Sequence, residues 1–452
     1  MKASAIILAA GQGTRMKSKK PKVAHEVLGK PLVRWVVDAA KNAGISSIVS
    51  VVGHGRELVT PLLEDTTLAI QEEQLGTAHA VTIALESFDS LEGSVVVLTG
   101  DSPLIRAETI RELVDLREKE DAACVVLTMN IDNPFGYGRI VRDEKGDVCK
   151  IVEQKDCTES QAQIKECNSG FYCFDAKVLS DALKKVSTNN AQGEYYLTDV
   201  LGIAREEGRI VLGHVAKDSS ECLGVNSRVQ LAEATKILQN RINTYWMEQG
   251  VTMTDPNTVW IGPDVELSSD VELLPNVMIY GASKVGEDTV IGPTCRIVDT
   301  VIGQSCVLEE TIALEAQIDN GASCGPRAYL RPAAHLCEGA KAGTHVEIKK
   351  STIGKGSKVP HLSYVGDATI GSDANLGAGT ITCNYDGENK WPTTIGDRSF
   401  IGSDTMLVAP VVIGKDTLIG AGSVITSDVP DGALGLGRAR QFVKEGYKEV
   451  KN

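Results

Sequence analysis

Along the second half of the chain, large aliphatic residues return at every sixth position: Ile395, Ile401, Leu407, Ile413, Ile419 and Ile425. Glycine or another small residue usually follows each one, and a small or β-branched residue sits two places before the next. An α-helix repeats every 3.6 residues and a half-buried strand every two, so neither produces this beat. One face of a three-sided parallel β-helix does, because the aliphatics fill the prism and small residues let the chain turn at each corner. The same beat runs earlier through Ile261, Leu267, Leu273, Ile279, Val285, Ile291 and Ile297, then slips one residue to Ile302. Five-residue steps recur from Ile348 to Ile353 and from Val365 to Ile370, as tightened corners or short excursions. The main interruption, Thr382 to Thr394, predicts a surface loop of the kind that carries binding.

The first half follows a different rule. Apolar runs at Ala5–Leu8, Ile48–Val52 and Val95–Leu98 are separated by helical patterns such as Pro31–Ala43 and Thr77–Ser87. This alternation predicts an α/β, doubly wound, Rossmann-like domain with a mainly parallel sheet, and ligands at the carboxyl ends of its strands. From Asn226 to Gly250 the pattern becomes one helix, with Leu231, Ala234, Leu238, Ile242 and Tyr245 on a stripe. The expected organisation is residues 1–226 as the α/β domain, 227–250 as a helical linker, and 251–452 as the β-helix with a C-terminal tail.

Composition narrows the function. A chain of 452 residues suits two or three domains. A net charge of −14 argues against a broad nucleic-acid surface. The eleven cysteines are scattered, odd in number and never spaced Cys-x-x-Cys, which favours a reduced cytoplasmic chain over a disulfide framework or zinc site. No apolar run reaches about eighteen residues, so no membrane insertion is expected. The apolar start leads into a Gly-rich, lysine-rich loop and reads as a first strand rather than a signal peptide.

That loop carries the first chemistry. Gly11 and Gly13 let backbone N–H groups approach phosphate oxygens, and Arg15 and Lys22 lie in a local basic cluster. A third glycine of the dinucleotide fingerprint is missing, because Met16 stands in its place, and no Gly-Lys-Ser/Thr follows. The bland alternative is a tight turn before a solvated lysine run. Leu8-x-x-Gly11-x-Gly13-Thr14-x-Met16 with Pro21-Lys22 resembles the signature of sugar-1-phosphate nucleotidyltransferases. Gln71 and Leu75-Gly76-Thr77-Ala78 resemble that family's uracil-reading segment. Leu98-Thr99-Gly100-Asp101 resembles its metal motif, with Thr99 where Tyr is more usual; a helix cap near Pro103 is the structural alternative for Asp101. Gly138, Glu153 and Asn168 lie in segments that resemble the sugar-binding parts of the N-acetylglucosamine-1-phosphate branch. Gly224-Val225-Asn226 resembles the second metal position, although Asn226 also suits an N-cap.

In the repeat half, Arg331, Lys349, His361, Tyr364 and Asn375 do not serve the coil, and together make a candidate sugar-phosphate site. With Ala378, Asn384, Tyr385, Ser403, Ala421 and Arg438 they resemble the acetyltransferase domain of one family, the bifunctional N-acetylglucosamine-1-phosphate uridylyltransferase/glucosamine-1-phosphate N-acetyltransferases. The resemblance spans nearly the whole chain. It implies a left-handed β-helix and a homotrimer, with small-molecule substrates glucosamine-1-phosphate, N-acetylglucosamine-1-phosphate, UTP and acetyl-CoA. It also implies Mg²⁺ on Asp101 and Asn226, a UTP and UDP-sugar site at Leu8, Ala9, Ala10, Gly11, Lys22, Gln71, Gly76, Thr77, Gly138, Glu153, Asn168 and Asn226, and catalytic roles for Arg15 and Lys22. On the β-helix it implies glucosamine-phosphate binding by Arg331, Lys349, Tyr364 and Asn375, and acetyl-CoA binding by Ala378, Asn384, Tyr385, Ser403, Ala421 and Arg438. His361 is the expected general base, since an amine largely protonated at neutral pH must lose a proton to react. Two rival readings are a single-activity nucleotidyltransferase with a purely structural β-helix, and a non-enzymatic scaffold.

Overall fold

The computed structural model describes residues 2–447 and divides into two compact units, Met1–Leu238 and Gln239–Asn452. In the first unit the main sheet runs in the spatial order Val211–Val215, Cys124–Asn130, Glu166–Asp175, Ser94–Thr99, Ala3–Leu8, Ser47–Val52, Thr67–Ile70. The Val/Ile-rich central strands are buried on both faces, as a doubly covered parallel sheet requires. The apolar start is indeed a buried inner strand, between Ser94–Thr99 and Ser47–Val52. Glu166–Asp175 departs from the parallel expectation: it pairs antiparallel with both Ser94–Thr99 and Cys124–Asn130. A hairpin, Arg139–Arg142 with Val148–Val152, attaches to it. Pairing of Leu8 with Thr99 sets the loops that follow these two strands side by side.

The expected stripe on the long helix holds at Ala234, Leu238 and Ile242 and fails at Tyr245. The helix spans Arg228–Glu248, and Tyr245 is 53% exposed. Gln239 and Asn243 are buried as well, and Trp246 packs against the core in place of Tyr245. The buried amides of Gln239 and Asn243 both donate to Val259 O, at 2.6 and 2.9 Å. These polar side chains hold the carbonyls of the chain entering the first coil, which hydrophobic periodicity alone does not reveal.

In the second unit, three parallel sheets of 11, 10 and 9 strands form the faces of the coil. Aliphatics stack in register, as Ile261 on Ile279 on Ile297 along one face and Leu267 on Val285 on Ile302 along another, all buried. The five-residue steps are tightened corners. Asp299, Lys350 and Asp367 sit there in left-handed backbone with φ of 48°, 45° and 49°, and the next strand begins one residue earlier.

Candidate functional sites

The loop after the first strand folds back on Lys22. A Cβ at Gly13, where φ is 64°, would lie 2.5 Å from Lys22 Cβ, so only glycine permits this approach. Gly11 has no protein atom within 4 Å of its notional Cβ. The N–H groups of Gly11, Gln12, Gly13 and Thr14 have no acceptor among the described residues. Met16, which replaces the third glycine, is 1% exposed and anchors the loop in the core. Arg15 is exposed and makes no ion pair among the described residues.

Lys22 Nζ donates to Asp101 Oδ2 and, at 3.0 Å, to Asn226 Oδ1. Two hard oxygen donors thus converge on one cationic group. The backbone holds them there, with Val225 N–H donating to Asp101 O at 2.9 Å. Asp101 does not cap a helix: the next helix begins at Ala107, after Arg106. Nor does Asn226 cap the long one. Ser227 takes that place, its Oγ accepting from Gln230 N at 3.2 Å, which leaves the Asn226 side chain turned toward Lys22.

Leu8, Ala10, Gly11, Lys22, Gln71, Gly76, Thr77 and Asp101 line one cleft of about 270 Å³. Ala9 is buried beside it, with its N–H donating to Val51 O at 2.9 Å. Gln71 is 3% exposed, and its amide donates to Gly76 O at 3.2 Å. Thr77 Oγ1 accepts from Leu197 N at 3.0 Å. The backbone of Tyr195 clasps this segment so closely that a Cβ at Gly76 would meet Tyr195 O at 2.5 Å. Gln74 and Glu194 also line the cleft. Sequence reading missed both, and Glu194 reaches it only through the Tyr195 clasp, which no local pattern announces.

Gly138, Glu153 and Asn168 form a neighbouring group. A Cβ at Gly138 would lie 3.3 Å from Glu153 Oε1 and 3.5 Å from Asn168 Cβ. Asn168 Nδ2 donates to Tyr172 OH at 2.7 Å, and its Oδ1 accepts from Gly170 N at 3.0 Å. Burial, followed by the charges of Asp156 and Asp199, pushes the Glu153 carboxyl above its ordinary value. This group adjoins the cleft through Gly170, whose notional Cβ lies 3.3 Å from Thr99 Cγ2.

On the β-helix, one face carries Arg331, Lys349 and Tyr364 on three consecutive rungs. Arg331 Nη1 donates to Glu347 Oε1 at 2.8 Å. Tyr364 and Asn384 converge over Gly366, where a Cβ would lie 2.4 Å from the phenol oxygen and 2.8 Å from Asn384 Nδ2. Asn384 Nδ2 also donates to Asp367 Oδ2 at 2.6 Å. The Lys390 ammonium, on the predicted loop, lies close to that of Lys349, whose proximity lowers the Lys390 pKa. Two adjacent ammonium groups suit an anion, and Lys390 is a residue that sequence reading missed although it had marked the loop. That loop is pinned by Trp391 Nε1 donating to Asp386 Oδ2 at 2.6 Å. This bond, with the N–H groups of Asn389 and Glu388, holds the Asp386 carboxyl down to about 2.

The remaining candidates line one edge of the coil, rung after rung. Gly379 N–H donates to His361 O at 3.3 Å, Asp404 N–H to Ala378 O at 2.7 Å, and Gly422 N–H to Ser403 O at 2.7 Å. A Cβ at Gly402 would touch Ala421 N at 2.4 Å, and one at Gly422 would lie 3.8 Å from Arg438 Cδ. The edge therefore reads His361, Ala378, Ser403, Ala421, Arg438. The imidazole of His361 is exposed and has no hydrogen-bond partner among the described residues. Asn375 lies on the next rung of the face that carries His361, with Lys358 and Asn375 paired. Tyr385 is 60% exposed.

A profile of the MobA-like NTP transferase domain matches residues 5–151, and one of bacterial transferase hexapeptide repeats matches residues 392–427. The chain is 51% identical over 447 residues to the bifunctional protein GlmU of Heliobacterium modesticaldum, covering 99% of this chain and 98% of the relative. To that of Caldanaerobacter subterraneus it is 50% identical, covering 99% and 97%. This chain belongs to the GlmU family. Membership makes it a bifunctional transferase of UDP-N-acetylglucosamine synthesis, with a nucleotidyltransferase unit and a hexapeptide acyltransferase unit. The rival readings, a single activity or a scaffold, fall with it. No described helix is long and apolar enough to cross a membrane.

Proposed function

We propose that each unit of this GlmU-family chain performs one of two consecutive transfers with the residues described above. The observation that carries this is that each unit gathers its own set of candidates from distant sequence positions: Lys22, Asp101 and Asn226 in one, and the His361-to-Arg438 edge and the Lys349–Lys390 pair in the other. On the β-helix, Arg331, Lys349 and Lys390 hold the phosphate of glucosamine-1-phosphate, and Tyr364 and Asn375 orient the sugar. Acetyl-CoA lies along the edge past Ala378, Ser403 and Ala421 to Arg438, with Asn384 and Tyr385 beside the reacting end. The sugar amine attacks the thioester carbonyl, its proton passes to His361, and the carbon–sulfur bond breaks to release coenzyme A.

In the α/β unit, a phosphate oxygen of N-acetylglucosamine-1-phosphate attacks the α-phosphorus of UTP and pyrophosphate departs. No side chain needs to act as base, so these residues work by positioning and charge neutralisation. Gly11–Thr14 present N–H groups to the triphosphate, Arg15 and Lys22 neutralise it, and Gln71, Gly76 and Thr77 bind the uracil side. Gly138, Glu153 and Asn168 hold the sugar. The oxygen donors of Asp101 and Asn226 fit Mg²⁺, and Lys22 Nζ occupies the position where both point. When bound there, Mg²⁺ supplies charge neutralisation for the phosphates.

The resemblance extends this reading to a homotrimer in the cytoplasm. In its support, Leu434, Leu436, Phe442 and Val443 near Arg438 are all more than half exposed in the single chain. A coupled assay with glucosamine-1-phosphate, acetyl-CoA, UTP and Mg²⁺ tests the two reactions. Release of one coenzyme A and one pyrophosphate per UDP-N-acetylglucosamine is expected, and formation of the product without coenzyme A release contradicts it.

A further inference from the structure

Outside both sites, three side chains with metal-ligating atoms meet on the surface of the β-helix. They are Asp319, His335 and Cys337, and their donor atoms all lie within 4.8 Å of one another. His335 Nε2 is 2.8 Å from Asp319 Oδ2 and 3.9 Å from Cys337 Sγ. The scaffold fixes this proximity. Gln317 pairs with His335 in register on adjacent rungs, Asp319 N–H donates to Leu336 O at 2.8 Å, and Cys337 N–H donates to Ile353 O at 2.9 Å. His335 and Cys337 flank the inward-facing Leu336, so both project from the outer surface. This face of the coil is not the one that carries Arg331, Lys349 and Tyr364, nor the one that carries His361 and Asn375.

We propose that Asp319, His335 and Cys337 form a three-ligand site for a zinc-class divalent cation, bridging two rungs of the β-helix. Bonds of about 2.0–2.2 Å to nitrogen and oxygen and about 2.3 Å to sulfur place tetrahedral neighbours roughly 3.3–3.6 Å apart. The separations of 2.8 and 3.9 Å straddle that range, so small side-chain rotations seat the ion. The sulfur selects zinc or cobalt over magnesium, which prefers an all-oxygen shell. A surrounding shell is already in place: Gln317 Nε2 donates to the second Asp319 oxygen at 2.9 Å. On binding, the Cys337 thiol releases its proton to solvent, His335 ligates through Nε2 with its proton on Nδ1, and water completes the fourth position.

A cysteine–histidine–aspartate nucleophile is the competing use of the same atoms. In such a relay the acid and the nucleophile sit on different ring nitrogens, whereas here the same His335 Nε2 faces both Asp319 Oδ2 at 2.8 Å and Cys337 Sγ at 3.9 Å, the arrangement of converging ligands. The absence of Cys-x-x-Cys spacing does not bear on this site, since its ligands come from successive coils, 16 residues apart, rather than from one loop.

The test is metal binding by the full chain after chelator treatment, with Zn²⁺ followed by calorimetry and Co²⁺ by absorption. The expected result is one equivalent of Co²⁺ with a thiolate-to-cobalt charge-transfer band in the near ultraviolet. Cys337→Ser should abolish the band, and His335→Gln and Asp319→Asn should each weaken Zn²⁺ binding at least tenfold. The Asp101 site offers no sulfur, so ions held there do not produce the band. No band in the wild-type chain overturns the proposal. A band that survives Cys337→Ser also overturns it, by assigning the metal to another thiol.

Discussion

Lys22 donates to Asp101 across 79 positions of sequence, and the same ammonium reaches Asn226 at 3.0 Å. One cation thus ties together the phosphate loop, the end of the strand Ser94–Thr99, and the segment before the long helix. Asp101→Asn retains the shape and removes the charge that a hard cation prefers. Uridylyl transfer should fall by roughly a hundredfold or more, and acetyl transfer on the same preparation should be unchanged. Wild-type uridylyl turnover by this variant at ordinary Mg²⁺ rules out the metal assignment.

Division of the chain within the long helix leads to a second prediction. Gln239, Ile242, Asn243 and Trp246 pack against the first coil of their own unit. A fragment ending at Leu238 should therefore remain soluble, retain uridylyl transfer and sediment as a monomer. One extended to Gly250 carries those side chains without their partners and should aggregate more readily. An inactive or trimeric 1–238 fragment contradicts this division.

Lys390 provides a pH test. Its neighbour Lys349 lowers its pKa below the ordinary lysine value of 10.5, so its charge is lost first as pH rises. A bound phosphate restores the charge, which couples binding to proton uptake. KM for glucosamine-1-phosphate should rise on the alkaline side before an ordinary lysine titrates, and Lys390→Arg should flatten that rise. Lys390→Ala should raise KM about tenfold at neutral pH, the scale of a lost charge-assisted hydrogen bond. A KM independent of Lys390 removes it from the phosphate site.

The loop that carries Lys390 depends on Asp386. Its carboxyl is held down to about 2 by the Trp391 indole and two backbone N–H groups. That contribution is therefore present above the ordinary carboxylate value and lost only as pH falls toward 2. Trp391 fluorescence should stay constant through mild acid. Asp386→Ala should shift it at neutral pH and raise KM for acetyl-CoA a few-fold, through Tyr385. Identical emission from the variant excludes this role.

Much of the architecture was legible because it has a period. The six-beat announced the coil from Ile261 to Ile425, whereas Gly13, read for its approach to phosphate, proves also to be required by the close passage of Lys22. What escaped has no local signature. Glu194 reaches the cleft only because Tyr195 folds over Gly76, and Lys390 meets Lys349 only because a loop crosses back over earlier rungs. The antiparallel course of Glu166–Asp175 was hidden for a related reason, since burial makes its apolar residues resemble those of a parallel strand. Tyr245 was misplaced because, past Leu238 and Ile242, the inward face continues through Asn243 and Trp246, and a buried amide has no hydrophobic signature.

The central claim is that one chain runs two chemistries at independent sites, with His361 as the base of one. Paired kinetics of the two half-reactions on a single folded preparation of His361→Ala tests it most directly. General bases contribute about 10²–10⁴-fold, so acetyl-transfer kcat should fall by that order while uridylyl transfer and the KM for glucosamine-1-phosphate stay near wild type. An unchanged acetyl-transfer rate, or a parallel fall in both activities with lost thermal stability, would contradict the account.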